Sequence, residues 1–387
     1  MTFSPQFTHL EKRLKRHVIG PVHVFRAFTH IGFESILATE LSRIGLNNHK
    51  SFPGGLQVET KMVEAWKILA YSRTLRRLDM EIGSFHVENF GKLEKELEKI
   101  PWELFYPTDS RPQIKVKTKK SRLYHSDAIK ERLENIWLRQ NTFSTTTSSV
   151  QRLRIEIEND ICKLYVDIGG NELYKRGYEK FVEAAPLQDS LAAAILLAGG
   201  ITNSAGLLDP MCGSGTFSLE AAAIAKAKHP TLTRNFAFEF QPAFREDSWN
   251  YIKENSPKTS LSPNFSITTS DIDKKSVFTT TRNAISFGVN DIIHPEEKDF
   301  FDGIIPHSKG SLLVLNPPYG IRLQANTNRL YCEIGKKIRS DYRDCKIALL
   351  CKDHSALHAF SPGVVSAVRT NHGGLNIFIV FAEARKL

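Results

Sequence analysis

The stretch Leu207–Thr216, LLDPMCGSGT, sets an acid and two glycines at the end of an apolar segment. Asp209 closes a predicted strand. Gly213 and Gly215 let the backbone turn tightly and approach a ligand before a helix begins. Phosphate is a poor fit: no lysine follows the glycines, the spacing is not G-x-G-x-x-G, and Asp209 repels a pyrophosphate. A cationic, zwitterionic nucleoside such as S-adenosylmethionine (SAM) fits better. On that reading Asp209, Pro210, Cys212, Gly213, Gly215 and Thr216 contact the cofactor. SDID at 270–273 closes the next strand. Asp271, beside Ile272, is expected to accept both ribose hydroxyls, and Asp273 to cap the following helix. Asp299, after a short weak strand, is placed to accept from the adenine amine, although an ordinary solvated acid serves there equally well. Asn316-Pro317-Pro318-Tyr319 follows the apolar run Ser311–Leu315. Asn316 offers a side-chain carbonyl, Pro317 a backbone carbonyl, the paired prolines stiffness, and Tyr319 a stacking face. Two acceptors on a planar NH₂ localise its lone pair for attack on a methyl group. The task is positioning and electrostatics rather than proton abstraction. Asn316 also borders the expected cofactor site.

From about Pro186 strands alternate with helices. Gly206–Leu208, Ile267–Thr269, Ser311–Leu315 and Lys346–Leu350 read as strands. Phe217–Lys228, Lys274–Phe287 and Leu330–Tyr342 read as helices. Alternation of this kind predicts a parallel, doubly wound sheet. Ser366–Thr370 and Leu375–Ala382 add an antiparallel end hairpin. The first half reads as small α+β units: a strand at Val22–Phe28, a helix through Phe33 to Ile44, a turn at Gly54-Gly55, and strands at Arg152–Glu158 and Cys162–Ile168 about the turn Asn159-Asp160. Leu93–Leu104 reads as one charged helix, and Lys253–Asn264 as a polar loop.

Of 387 residues, 41% are hydrophobic and 24% charged, the balance of a globular chain with a core. No apolar run approaches the roughly 20 residues that span a bilayer. The basic N-terminal stretch is followed by no apolar segment with a cleavage site, so a cytoplasmic protein is expected. The five cysteines form no CxxC pair; reduced thiols and no metal site are expected. Net charge is +10, and residues 1–180 hold most of it, with 30 Lys+Arg against 22 Asp+Glu. Arg111–Arg132 has eight basic residues and two acids. Lys115, Lys117, Lys119, Lys120 and Arg122 form its acid-free centre and are the expected phosphate contacts of a nucleic acid.

The glycine loop, SDID and NPPYG together resemble the class I SAM-dependent amino-methyltransferases. RGYEKFVEAAPLQDSLAAAI (176–195) and NHGGLNIF (371–378) are similar to the THUMP-containing rRNA guanine-N2 methyltransferases of the bacterial large-subunit L type. FRAFTHIGFESILATELSRIGL (25–46) resembles that family's ferredoxin-like domain. The likeness covers about residues 20–385 and extends to the first methyltransferase unit of the larger members. It implies a ferredoxin-like α+β domain at 20–79, a THUMP-like RNA-binding domain at 80–175, and a Rossmann-like methyltransferase domain at 180–387. It also implies SAM as methyl donor, no metal, an RNA partner and guanine N2 as acceptor, with 23S rRNA the leading substrate. A tRNA guanine, a DNA adenine and a catalytically silent RNA-binding assembly factor remain alternatives. Ile321 departs from the family, which often has an acid there. The oligomeric state is not legible.

Overall fold

The computed structural model describes residues 5–182, 186–229, 234–257, 261–262, 264–318, 327–352 and 363–383. The chain forms two compact units. The first comprises Met1–Phe28, Leu41–Leu173 and Arg234–Ser256. The second comprises Thr29–Glu40, Tyr174–Thr233 and Pro257–Leu387.

Seven strands make the sheet of the first unit: β1 (Val22–Phe28), β2 (His49–Phe52), β3 (Gly55–Lys61), β4 (Arg77–His86), β5 (Arg111–Lys119), β6 (Thr147–Glu158) and β7 (Ile161–Asp167). Their order is β2-β3-β1-β4-β7-β6-β5. Only β5 and β6 pair in parallel; the other neighbours are antiparallel. The β6–β7 hairpin turns on Asn159 and Asp160 at φ +50° and +61°, the two left-handed residues of the primed turn that matches strand twist. Helices α1 (Pro5–Leu14), α3 (Met62–Tyr71), α4 (Phe90–Leu97), α5 (Ser126–Arg139) and α8 (Glu246–Glu254) belong to this unit, while α2 (Glu34–Arg43) runs across the division between units.

Three features differ from the sequence reading. The expected boundary at 79/80 falls inside β4, so residues on both sides of it share one sheet. The expected helix Leu93–Leu104 stops at Leu97, and a short 3₁₀ turn follows at Trp102–Leu104. Pro101 lacks the N–H that a continuing helix needs. Residues 234–256, expected within the methyltransferase region, lie in the first unit. Phe238 stacks on Trp66 of α3 at 4.8 Å and meets Trp249 of α8 edge-on at 5.0 Å. Burying these rings outweighs the polar composition around them.

The second unit holds β8 (Gly206–Asp209), β9 (Ser266–Asp271), β10 (Glu296–Glu297), β11 (Leu312–Leu315), β12 (Lys346–Cys351), β13 (Val364–His372) and β14 (Leu375–Glu383). The order is β10-β9-β8-β11-β12-β14-β13. The first five are parallel; β14 and β13 finish as the expected antiparallel hairpin. Helices α6 (Asp189–Ala198), α7 (Thr216–Ala225), α9 (Lys274–Phe287) and α10 (Thr327–Asp341) complete the α/β pattern. Strand β11 shows why its sequence is apolar throughout. Leu312 and Val314 join the core with α6 and α7, while Leu313 and Leu315 join the core with α10. A parallel strand covered on both faces has no polar side.

Arg176 and Glu220 of α7 form an ion pair inside this unit, with Nε 2.8 Å from Oε1 and Nη2 3.3 Å from Oε2. Their side chains are 0% and 3% exposed. Removing the guanidinium strands a buried carboxylate, so Arg176→Ala should lose about 3–5 kcal/mol in denaturant unfolding. A loss below about 1 kcal/mol would show that the pair is dispensable.

Candidate active site

The strand order reverses between β8 and β11, and ligands of open α/β sheets bind at such a point, beyond the carboxyl ends of the strands. A cavity of about 560 Å³ lies there. It collects Pro210, Cys212, Gly213 and Thr216 from the loop after β8, Asp271 and Ile272 from the end of β9, Asp299, and Asn316 and Pro318 from the end of β11. These are residues expected from sequence, brought together from four strand ends. Gly215 and Pro317 stand apart from the lining. Gly215, at φ +78°, lies against Thr280, and a Cβ there would come within 2.6 Å of that side chain. Pro317 is buried. Tyr319, the expected stacking face, lies outside the described residues, as does Ile321.

Asp209 requires a correction. It is buried beneath the loop and does not line the cavity. Its Oδ2 accepts from the Ser218 hydroxyl at 2.7 Å and the Ser218 N–H at 3.2 Å. That hydroxyl also lies 2.8 Å from Thr269 Oγ1. Oδ1 is buried without a hydrogen-bond partner among the described residues. Loss of water pushes the carboxyl up to about 7; the Ser218 bonds oppose the shift and the Asp271 charge adds to it. Asp209 thus anchors the N-terminal turn of α7 to the sheet. A strand-end acid and a ligand-facing acid look alike in sequence.

Asp271 faces the cavity and also shapes it. Its Oδ2 accepts the Gly213 N–H at 2.9 Å, and its Oδ1 accepts the Asp273 N–H at 3.0 Å. Each oxygen keeps a further lone pair for a ligand hydroxyl. Asp273 caps α9 as expected, accepting from the Lys275 N–H at 3.1 Å and the Ser276 hydroxyl at 3.1 Å. The Asp299 carboxylate accepts the Phe301 N–H at 2.9 Å. Burial pushes the Cys212 thiol up, so it stays protonated. Asn316 Oδ1 is buried and has no hydrogen-bond partner among the described residues.

The sequence reading missed the residues that hold the loop from behind. Thr280 donates its hydroxyl to the Gly213 carbonyl at 2.9 Å. Asn283, fully buried, donates to the carbonyls of Ser214 and Phe181, both at 2.9 Å, and accepts the Phe181 N–H at 2.7 Å. Lys180 donates to Asp189 and, at 3.0 Å, to the hydroxyl of Thr216 in the cavity wall. The available signal was polar residues at core positions of α9. It identifies a buried contact but not its partner.

In the first unit, alternation puts Lys115, Lys117 and Lys119 on the exposed face of β5. Lys119 pairs with Glu158 at 2.6 Å. Arg122 lies 3.6 Å from Asp160 and 3.8 Å from Glu88. Lys115, Lys117 and Lys120 have no carboxylate partner among the described residues. No described helix is long and apolar enough to cross a membrane, and no described cluster of three or more His, Cys, Asp or Glu could hold a metal ion.

A doubly wound sheet with a glycine loop after β8 and a cavity at its switch point defines a Rossmann-like methyltransferase fold. The family model described as RMKL-like, methyltransferase domain matches residues 176–373, and the chain belongs to that family. It is similar to the ribosomal RNA large subunit methyltransferase K/L of Buchnera aphidicola subsp. Acyrthosiphon pisum, at 26% identity over 341 residues, which is 84% of this chain and 49% of that protein. The chain spans about half the length of the curated relatives it matches. Among solved structures, a "possible methylase" from Clostridium difficile 630 is similar with a TM-score of 0.82 and 23% identity, covering 93% of this chain and 98% of that one. SMU.472, solved in complex with SAH, has a TM-score of 0.80 and 23% identity, covering 94% and 98%. At these identities the structures establish the fold.

The raised Asp209 carboxyl has a consequence for stability. An acid whose folded-state pKa exceeds its unfolded value binds its proton more tightly when folded. Its contribution is full at low pH and declines as pH rises from about 4 to about 7. The stability of wild type relative to Asp209→Asn should therefore fall across that window in pH-dependent unfolding. A difference independent of pH would place the acid in a wetter environment.

Proposed function

We propose that the second unit binds SAM and that the chain transfers its methyl group to the exocyclic N2 amine of a guanine in RNA, with large-subunit rRNA the leading substrate. The observation that carries the reading is Asn316. Its buried Oδ1, without a donor among the described residues, sits at the carboxyl end of β11 in the wall of a cavity shared with Asp271 and Asp299. An amine N–H supplies the missing donor, and leaving such an acceptor unpaired is costly. Three acids in the lining, Asp271, Asp273 and Asp299, suit a cationic ligand. The names of the curated relatives support rRNA as the substrate class.

SAM supplies the methyl group. Gly213 and Thr216 would border its amino-acid end, Asp271 its ribose, and Ile272 and Asp299 its adenine. Asn316 and the Pro317 carbonyl would hold the target amine. Tyr319 would stack on the base. No general base is needed, because the proton leaves after the nitrogen has become an ammonium. A paired guanine hides N2 in the minor groove, so the base must be flipped out or presented unpaired. Lys115, Lys117 and Lys120 are the proposed phosphate contacts. Lys119 and Arg122 already have carboxylate partners and are the weaker two of the five.

Transfer from tritiated SAM to separated rRNA, tRNA and DNA pools, followed by nucleoside analysis, tests the reading. N2-methylguanosine in rRNA is the expected product. The same nucleoside in tRNA would change the substrate, N6-methyladenosine would change the base, and no transfer to any pool would remove the activity. Asn316→Ala should slow single-turnover transfer by about 10²-fold and leave SAM binding nearly unchanged; wild-type rates in this variant would overturn the amine trap. Neutralising Lys115, Lys117 and Lys120 one at a time should weaken RNA binding and reduce the salt slope by about 1 per contact. A slope unmoved by the triple variant would assign the strand to a solvated surface.

A further inference from the structure

Helix α9 has two working sides. Thr280 and Asn283 hold the glycine loop, and Ser276 and Thr279 line the cavity. The outer side carries Lys274, Phe278, Arg282 and Ile285, spaced four, four and three residues apart along one face. Phe278 is 64% exposed and Ile285 60%. The Arg282 guanidinium lies 3.6 Å from the Phe181 ring centroid and 5.9 Å from that of Phe278. Stacking on Phe181 fixes its plane while leaving the residue exposed. Lys274, Lys275 and Arg282 have no carboxylate partner among the described residues. The nearby acid, Asp273, is engaged in capping the helix. No acid lies on α9 itself.

We propose that this outer face of α9 binds single-stranded RNA beside the target base. Bases stack on Phe278 and on the Arg282 plane, while the charges of Lys274, Lys275 and Arg282 neutralise phosphates. An exposed ring, an oriented guanidinium and cations without a carboxylate partner among the described residues are what a strand with π faces and a charged backbone requires. The face is continuous with the cavity, because Ile272, Asp273, Ser276 and Thr279 line the cavity on the same segment. The inference rests on the RNA reading above and extends it: a target nucleotide drawn into the cavity leaves its neighbours unstacked, and this face receives them.

The full chain is titrated against a fluorescein-labelled 20-nucleotide poly(U) strand at several salt concentrations. Phe278→Ala should weaken binding roughly tenfold with the salt slope unchanged. Arg282→Ala should weaken it and reduce the slope by about 0.7. SAM affinity by calorimetry and the thermal midpoint should stay at wild-type values in both, since neither side chain holds the loop or lines the cavity. With rRNA as methyl acceptor, KM for RNA should rise while kcat persists. Wild-type RNA affinity in both variants would overturn the proposal. So would a Phe278→Ala protein that loses self-association in sedimentation yet binds RNA normally, because the face would then join two copies of the chain. If wild type methylates no RNA but binds the strand with the stated dependence on Phe278 and Arg282, the substrate reading fails and this surface stands.

Discussion

The Asp271 carboxylate joins two strand ends into one site. It accepts the Gly213 N–H from the loop after β8 and the Asp273 N–H that starts α9. Hydrogen bonds to a charged acceptor are worth about 1.5–3 kcal/mol each, roughly double the neutral kind. A glycine loop at φ +54° and +78° has little intrinsic preference for one shape. This carboxylate, with Thr280 and Asn283 on the carbonyls of Gly213 and Ser214, supplies that shape. The cavity exists because the loop is held open from behind.

A second acid, the buried Asp209, divides the labour. Asp209 gives one oxygen to Ser218 and thereby ties the first turn of α7 to β8. Asp271 both shapes the loop and faces the cavity. Burial pushes the Asp209 carboxyl up to about 7, and the Asp271 charge adds to that shift. A cationic ligand in the cavity would meet Asp271, not Asp209.

Much of this was legible in the chain itself. The strand Val22–Phe28 and the helix Lys274–Phe287 were read to the residue, because their apolar periodicity is clean and their ends are marked. The alternation after Pro186 carried the parallel, doubly wound class of the sheet, since parallel strands covered on both faces read as unbroken apolar runs. Harder cases were those decided by distant partners. The strand Arg77–His86 buries only its first half and lacks a clean period, so the shared sheet of the first unit went unseen. Residues 234–256 join that unit through Phe238, which stacks on Trp66 and meets Trp249 edge-on; local spacing does not encode a contact between residues so far apart in the chain. Asp209 was misassigned for a related reason: sequence fixes where an acid sits on a strand, while packing decides which way it is served.

The central claim is that the cavity between β8 and β11 is the SAM site. Crystallising the protein with S-adenosylhomocysteine tests it most directly. The account predicts the amino-acid end against Gly213 and Thr216, the ribose hydroxyls on Asp271, the adenine beside Ile272 and Asp299, and Asp209 still bonded to Ser218 without touching the ligand. A ligand bound elsewhere, or one whose ribose lies away from Asp271, would contradict it.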